Sequence, residues 1–485
     1  MTLISVVLAE ILRKIHPTDQ EIDLIKSITK KLSNLLDLKA KDLNITYKKI
    51  EPQGSTGIKQ TQLKNDFDID LFIGLDYEEY KYKFKGLSKN KLKKESKKDF
   101  LKLCINWIIP SLTLKEFHNP RLLYAEHPYV TVDYHLENTK IKIDIVLYFD
   151  LSLEFINKNG PITAVDRSPW HGNFIKERLT QKQKNDVRIL KQIFKACYSY
   201  GDKSPVGKIG FIGYSAELLI YYFGDLINLL NNFQDLDKTP LDYYKRNEAE
   251  LRKITHFQDD HLIIIDPVDK NRNVASAISE KAYKYCNHKI REFMKNPKQD
   301  YFEINPIPEI DLSKRADPIL SKIFIIELIN TDDKIHYTIN RDKLYSLGEN
   351  IKANGEREFS HSERFGKIIF EVYFEDEKNE FNIAIYCEKP QISPTYFRRG
   401  PPILEEHHAN NFKRKNPLWF EKSGYLFVEV IREFKEFSNF LKNFVEKKMP
   451  ENFTINNISI AFNPKTISGK RTIHILKEMV LPFFI

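Results

Sequence analysis

The sequence predicts a multidomain α+β chain, and three observations predict it. Apolar residues recur at helical spacing through residues 1–45 and again between 160 and 285. Between these stretches, and again beyond residue 300, short segments alternate apolar and polar residues in the manner of strands. The 485 residues suffice for roughly two to four domains, and no internal repeat relates them. The expected division is a mixed α/β domain over 1–155, a helical domain over 156–285 and an α+β part over 286–485.

Each element follows from local pattern. Leu24, Ile25, Ile28, Leu32 and Leu35–Leu36 form one helical face, and Pro17–Thr18–Asp19 marks a break with Thr18 placed to cap the new helix. Phe67, Ile69, Leu71 and Ile73 alternate with Asp68, Asp70 and Phe72, which predicts a strand. A hairpin is expected from strand 129–135, a turn at Glu137–Lys140 and strand 141–149. Helices are expected at 183–200, closed by Gly201 as the C′ residue, and at 214–231. Residues 263–275 read as the end of a strand followed by a helix. Strands return at 322–329, 367–374 and 381–387, then a long helix at 427–448, then strands at 456–463 and 471–477.

Composition bounds the function. No apolar run reaches the roughly 18 residues that a membrane span needs. The opening MTLISVVLAEILRKI lacks a basic leader and a small-residue cleavage site, so it reads as an amphipathic helix rather than a signal peptide. Cys104, Cys197, Cys286 and Cys387 form no C-x-x-C pair, which argues against zinc and disulfides and for a reducing, cytoplasmic setting. A net charge of +9 suits a polyanionic partner. Ten lysines against two acids in residues 81–102 read as a flexible solvated loop, with a phosphate-backbone patch as the alternative. His407 and His408, within 403–425, have no partner at ligand spacing and read as surface loop.

The chemistry concentrates in residues 53–73. Gly54–Ser55 stands fourteen residues ahead of Asp68, with Asp70 two further on. Residues two apart on a strand share a face, so the two carboxylates would project side by side among large apolar neighbours. Carboxylates placed so repel, and a divalent cation relieves them. Oxygen ligands of this kind suit Mg²⁺, while a Gly-Ser turn offers backbone N–H groups and a hydroxyl to a polyphosphate. Asp144, flanked by Ile143 and Ile145, is the expected third carboxylate, ranked above Asp133 on the partner strand. Three converging carboxylates can carry two metal ions, the arrangement of metal-dependent nucleotidyl transfer. Farther on, His171 follows a Pro turn, and Lys191 and Lys195 share a helix face ahead of Tyr200; alone, these two lysines and the tyrosine read as ordinary surface residues.

Taken in order, the motifs resemble those of the archaeal-type, class I CCA-adding enzymes, tRNA nucleotidyltransferases of the polymerase-beta-like superfamily. The resemblance rests on Ile15–Thr18, Gly54–Ser55 with DFDIDLF, the Asp144 strand, AVDRSPWH at 164–171 and VRILKQIFKACYSYG at 187–201. It continues through GY-x-x-ELL from Gly213, DPVD-x-x-RNVA at 266–275 and RRGPP at 398–402. It implies a mixed α/β nucleotidyltransferase head, a helical neck, and an α+β body and tail. It further implies CTP and ATP as substrates, two Mg²⁺ ions, and tRNA gripped by its acceptor and T arms, with dimers common in the family. By position it makes Asp68, Asp70 and Asp144 the metal ligands. Gly54, Ser55, Lys59, His171, Lys191 and Tyr200 fall on nucleotide-binding positions, Arg272 on the residue near the incoming base, and Arg398 and Arg399 on a tRNA-contacting segment. Three positions depart from the pattern: Lys59 replaces an arginine, Gln62 a tryptophan and Ile212 a serine. The lysine-rich 81–102 segment looks like an enlargement of the head. Poly(A)-adding or cyclic-oligonucleotide-making enzymes of the superfamily, and a non-catalytic RNA-binding relative, are the alternatives.

Overall fold

In the computed structural model, residues 3–65, 68–124, 127–136, 139–313, 317–358 and 362–485 are described. The chain forms two compact units, one of residues 1–197, 211–278 and 287–303, the other of 198–210, 279–286 and 304–485.

The first unit opens with α1 (Leu3–Ile15) and α2 (Asp19–Asp42). Thr18 caps α2 as expected: its hydroxyl accepts from the Glu21 N–H while the Glu21 carboxylate accepts from the Thr18 N–H. A five-stranded sheet follows, built from β1 (Lys49–Gln53), β2 (Ile69–Leu75), β3 (Phe117–Tyr124), β4 (Pro128–Leu136) and β5 (Thr139–Phe149), in spatial order β1-β2-β5-β4-β3. Between β2 and β3 run α3 (Tyr77–Phe84), α4 (Lys89–Leu103) and, after a π turn, the short α5 (Ile109–Ser111). Alternation decides what the sheet buries. Ile69, Leu71 and Ile73 of β2 and Ile143, Ile145 and Leu147 of β5 pack on Ile28, Leu32 and Leu36 of α2 and on Trp107, all fully buried. The opposite face is left to Asp70, Asp144 and a small cluster of Phe72, Val146 and Tyr148. Phe67 of the expected strand, and Glu137 and Asn138 of the expected turn, lie outside the described residues.

The helical part comprises α6 (Leu153–Asn159), α7 (Ser168–Arg178), α8 (Gln181–Ala196), α9 (Gly213–Phe223), α10 (Leu226–Asn232) and α11 (Glu248–Arg252), with a two-stranded hairpin of β6 (Ile265–Asp266) and β7 (Asp269–Asn273). α12 (Glu280–Lys295) has residues in both units.

In the second unit, β8 (Ile323–Asn330), β9 (Ile368–Glu375), β10 (Glu380–Cys387) and β14 (Phe453–Ile460) make an antiparallel sheet of order β14-β8-β10-β9. α13 (Tyr337–Glu356) and α15 (Phe437–Lys448) share one core with it, and α16 (Ile467–His474) belongs to another. Because both faces are covered, β8 is apolar almost throughout. A three-stranded sheet of β11 (Thr395–Pro402), β12 (Trp419–Lys422) and β13 (Tyr425–Ile431) has α14 (Glu406–Lys415) beside it. Among the described residues, no helix is long and apolar enough to cross a membrane.

Several expectations are corrected. The lysine-rich 81–102 segment is helical, not a loop: α3 and α4 seat Phe84 and Phe100 in the core, Lys83 pairs with Asp99, and most of the lysines face solvent. The helix expected at 214–231 is two helices, broken where Gly224 turns left-handed (φ +81°) and Asp225 caps α10. α8 stops at Ala196, and it is Tyr198 rather than Gly201 that first takes the left-handed conformation beyond it (φ +51°). Residues 427–431 of the expected long helix belong instead to β13, and helix begins only at Phe437. The strand expected at 471–477 is helical, because Thr466 caps Gly469 and the apolar residues Ile473, Leu476 and Val480 recur at helical spacing into a core. Residues 265–273 fold back as a hairpin rather than ending a single strand, and the expected helix follows as α12 from Glu280.

Candidate active site

The parallel pairing of β2 with β5 sets Asp70 directly opposite Asp144. Neither carboxylate could be placed so from its own strand. On the other flank of β2, Gln53 of β1 pairs with Asp70, and the chain turns immediately afterward at Gly54. Gly54 has φ +69°, and a Cβ there would lie 2.1 Å from Asp70 Oδ2, so only glycine lets the turn close onto the carboxylate. Asp68 precedes β2 and is exposed, and its backbone carbonyl accepts from the Thr56 hydroxyl at 2.6 Å. Ser55 lies within the same turn.

Electrostatics tie the three acids together. Burial, then the charges of Asp144 and Asp68, push Asp70 up to about 7. Desolvation likewise raises Asp68, with Asp144 adding to it and Lys142 opposing. Lys142 Nζ donates to Asp144 Oδ2 at 2.8 Å, whereas the buried Asp144 Oδ1 has no partner among the described residues. An orphaned carboxylate oxygen facing a carboxyl that resists ionisation fits a divalent cation. Among the described residues no three His, Cys, Asp or Glu side chains form a complete metal cage. Mg²⁺ does not require one, since it binds through one or two carboxylates and keeps water and phosphate oxygens. Asp70 and Asp144 would hold it, with Asp68 at the rim, and when bound it would supply Lewis-acid stabilisation of phosphoryl charge. Asp133 is engaged otherwise, by Arg121 at 3.4 Å and Lys140 at 3.5 Å.

Beyond the turn lies a buried charged cluster built by residues far apart in sequence. Glu217 of α9 is buried and receives Lys59 Nζ at 2.7 Å and the Thr61 hydroxyl at 2.7 Å. Lys191 Nζ donates to the Thr61 carbonyl and hydroxyl at 3.0 Å and stands 3.7 Å from Glu217. Burial resists the Glu217 charge, but Lys59 and Lys191 outweigh it and hold its carboxyl below the usual range. Burial pushes Lys191 down to about 8. Two cations against one anion leave an excess positive charge, suited to a phosphate chain.

The second polar hub is Asp266, fully buried in β6. It meets His171 Nε2 at 2.8 Å and accepts from Arg272 at 2.8 Å and from the Tyr214 hydroxyl at 3.0 Å. Burial disfavours its ionisation, yet His171 and Arg272 hold it well below the usual carboxylate range. Burial lowers His171 despite Asp266. His171 also stacks on Tyr214 at 4.3 Å, which fixes the plane of the imidazole. Asp166 of the AVDRSPWH motif is structural: its carboxylate accepts from Phe149, Ile162 and Thr163 N–H groups, anchoring the segment that leads to α7.

The structure thus gathers Gly54, Lys59, Lys191, His171 and Arg272 with the carboxylates in the first unit. Tyr200 belongs to the second unit, as do Arg398 and Arg399 of β11. There Arg398 donates to Asn416 at 2.7 Å, and Arg399 lies 3.5 Å from the Tyr425 ring centre. Glu217, Thr61, Tyr214 and Asp266 were assigned no role from sequence. Glu217 carried a signal nonetheless: one acid inside the apolar run of α9 needs a partner.

Comparison with known proteins gives the lineage. Residues 185–303 match the family described as tRNA nucleotidyltransferase, second domain. Among solved structures, a cytoplasmic RNA terminal U-transferase is 15% identical, with TM-score 0.44 over 63% of this chain and 98% of that one. E. coli CdnC with ATP is 19% identical, with TM-score 0.40 over 61% of this chain and 94% of that one. The CCA-adding enzyme of Methanocaldococcus jannaschii is 28% identical over 96% of this chain and 94% of its own length. That of Saccharolobus islandicus is 27% identical over 88% of this chain and 89% of its own. That of Pyrobaculum aerophilum is 27% identical over 84% of each. Over nearly its whole length the chain is therefore similar to archaeal CCA-adding enzymes, and residues 185–303 match the second-domain family of tRNA nucleotidyltransferases.

Proposed function

We propose that this protein adds C, C and A to the 3′ end of tRNA from CTP and ATP, without a nucleic-acid template, releasing pyrophosphate. The observation that carries the reading is the Asp70–Asp144 register closed by Gly54, combined with similarity to CCA-adding enzymes along almost the full chain. Asp68, Asp70 and Asp144 hold two Mg²⁺ ions, and Gly54, Ser55, Lys59, His171, Lys191 and Tyr200 bind the nucleotide, chiefly its triphosphate. Arg272, with part of its guanidinium reaching solvent, addresses the incoming base. Residues 1–155 act as head, 156–285 as neck and 286–485 as body and tail. Arg398 and Arg399 contact the tRNA, whose acceptor and T arms are recognised by shape and phosphates rather than by sequence. The enzyme works in the cytoplasm.

The test is primer extension with purified protein, Mg²⁺ and tRNA lacking its CCA end, offered CTP, ATP, both, or GTP and UTP. Two C additions, one A and a stop are expected. A-only addition to tRNA already ending in CC would restrict the activity to the last step. Long A tails, or cyclic products without RNA, would overturn the reading in favour of another superfamily activity.

A further inference from the structure

A cavity of about 700 Å³ lies behind the Gly54–Gln62 loop, bounded by α2, the outer edge of β1 and Arg188 of α8. Its size falls within the range of small-molecule sites, roughly 300–1,000 Å³. Asp68, Asp70 and Asp144 do not line it.

Three properties define what would fill it. An apolar part of the wall is formed by Ile22 and Ile25 of α2, Ile50 of β1 and Ile58 of the loop. Two lining side chains are buried with an unsatisfied atom: Thr29 Oγ1, on a residue 8% exposed, and Gln62 Oε1, on a residue 3% exposed, have no hydrogen-bond partner among the described residues. A buried polar atom left unpaired costs about 1–3 kcal/mol, so both are places where a ligand gains. Gln62 Oε1 can only accept, which requires an N–H or O–H donor on the ligand; Thr29 can accept or donate. At the rim stand the exposed Lys26 and Lys30, with Glu51 as the acidic lining residue. A ligand with an apolar, donor-bearing ring and an anionic end meets all three.

We propose that this cavity is a second nucleotide site, which takes the base of a nucleoside monophosphate between the isoleucines, with an exocyclic amine on Gln62 and Thr29 and the phosphate on Lys26 and Lys30. The same chemistry is presented by a free nucleotide and by the terminal nucleotide of an RNA. The loop couples the two sites by alternation. Lys59 and Thr61 turn to Glu217, whereas Gln60 and Gln62 line the cavity, and Arg188 holds their carbonyls at 2.7 and 2.9 Å. An occupant of the cavity therefore bears on the loop that positions Lys59.

Equilibrium dialysis of labelled AMP and CMP against the full chain, with EDTA present, tests the proposal without requiring catalysis. Wild type is expected to bind one nucleotide more per chain than Thr29→Val or Lys30→Glu. Valine is nearly isosteric and removes an unpaired hydroxyl, so Thr29→Val should melt no lower than wild type; Lys30 is exposed, and its reversal leaves the core untouched. Competition by a trinucleotide at lower concentration than AMP would identify an RNA end as the occupant, and failure to compete would identify a free nucleotide. Equal stoichiometry in wild type and both variants would overturn the site.

Discussion

Asp70→Asn isolates the electrostatic strain of the carboxylate pair. Burial and the charges of Asp144 and Asp68 move the Asp70 carboxyl from its ordinary 3.8 to about 7. A displacement of that size makes the ionised side chain less favourable in the folded chain by about 4 kcal/mol. The effective dielectric of a folded interior, higher than that of dry protein, brings this to about 2 kcal/mol. The sign follows from proton binding. Below about pH 4 the carboxyl is protonated in both states and the strain is absent; as pH rises toward about 7 the unfolded chain releases its proton first, so stability falls. Asparagine keeps the shape and removes the charge. With EDTA at about pH 7.5, Asp70→Asn is therefore expected to melt several degrees above wild type, and near pH 4 to match it. Mg²⁺ should raise the melting temperature of wild type and leave the variant unchanged, because a ligand that binds only the folded state stabilises it. Calorimetry across pH, with and without Mg²⁺, makes the comparison, with primer extension confirming that the variant is inactive. A variant that melts below wild type near pH 7.5, or one that gains as much from Mg²⁺, would refute the reasoning.

Three further outcomes are expected. Gly54→Ala places a methyl group 2.1 Å from Asp70 Oδ2 on a backbone at φ +69°, and should lower nucleotide incorporation at least about a hundredfold while circular dichroism shows the fold retained. Glu217→Gln leaves Lys59 and Lys191 without their counter-charge and should cost about 3 kcal/mol in denaturant unfolding of the transition that includes α9. Arg272→Ala should change the ratio of CTP to ATP incorporation more than it changes RNA binding measured by filter retention; an unaltered ratio would count against its role at the base.

What the sequence determined by itself was everything that depends on neighbours a few residues away. The alternation of Ile69, Leu71 and Ile73 showed β2 and its inward face, Pro17–Thr18–Asp19 announced the start of α2, and Gly54–Ser55 marked a turn. Asp68, Asp70 and Asp144 could be chosen because a carboxylate inside an apolar strand demands a partner, whatever that partner is. Local pattern failed where an apolar run fits two periods: the 471–477 segment is as good a strand as a helix until a core and the Thr466 cap choose. It failed again at β13, where alternation ran on into a helical face and hid the boundary. Tertiary structure alone decided that β2 and β5 pair in parallel with Asp70 on Asp144, and that Lys59 and Glu217, 158 residues apart, neutralise one another. Those contacts are set by how sheets and helices pack, and the free energy that selects them appears only when side chains from distant segments are desolvated together.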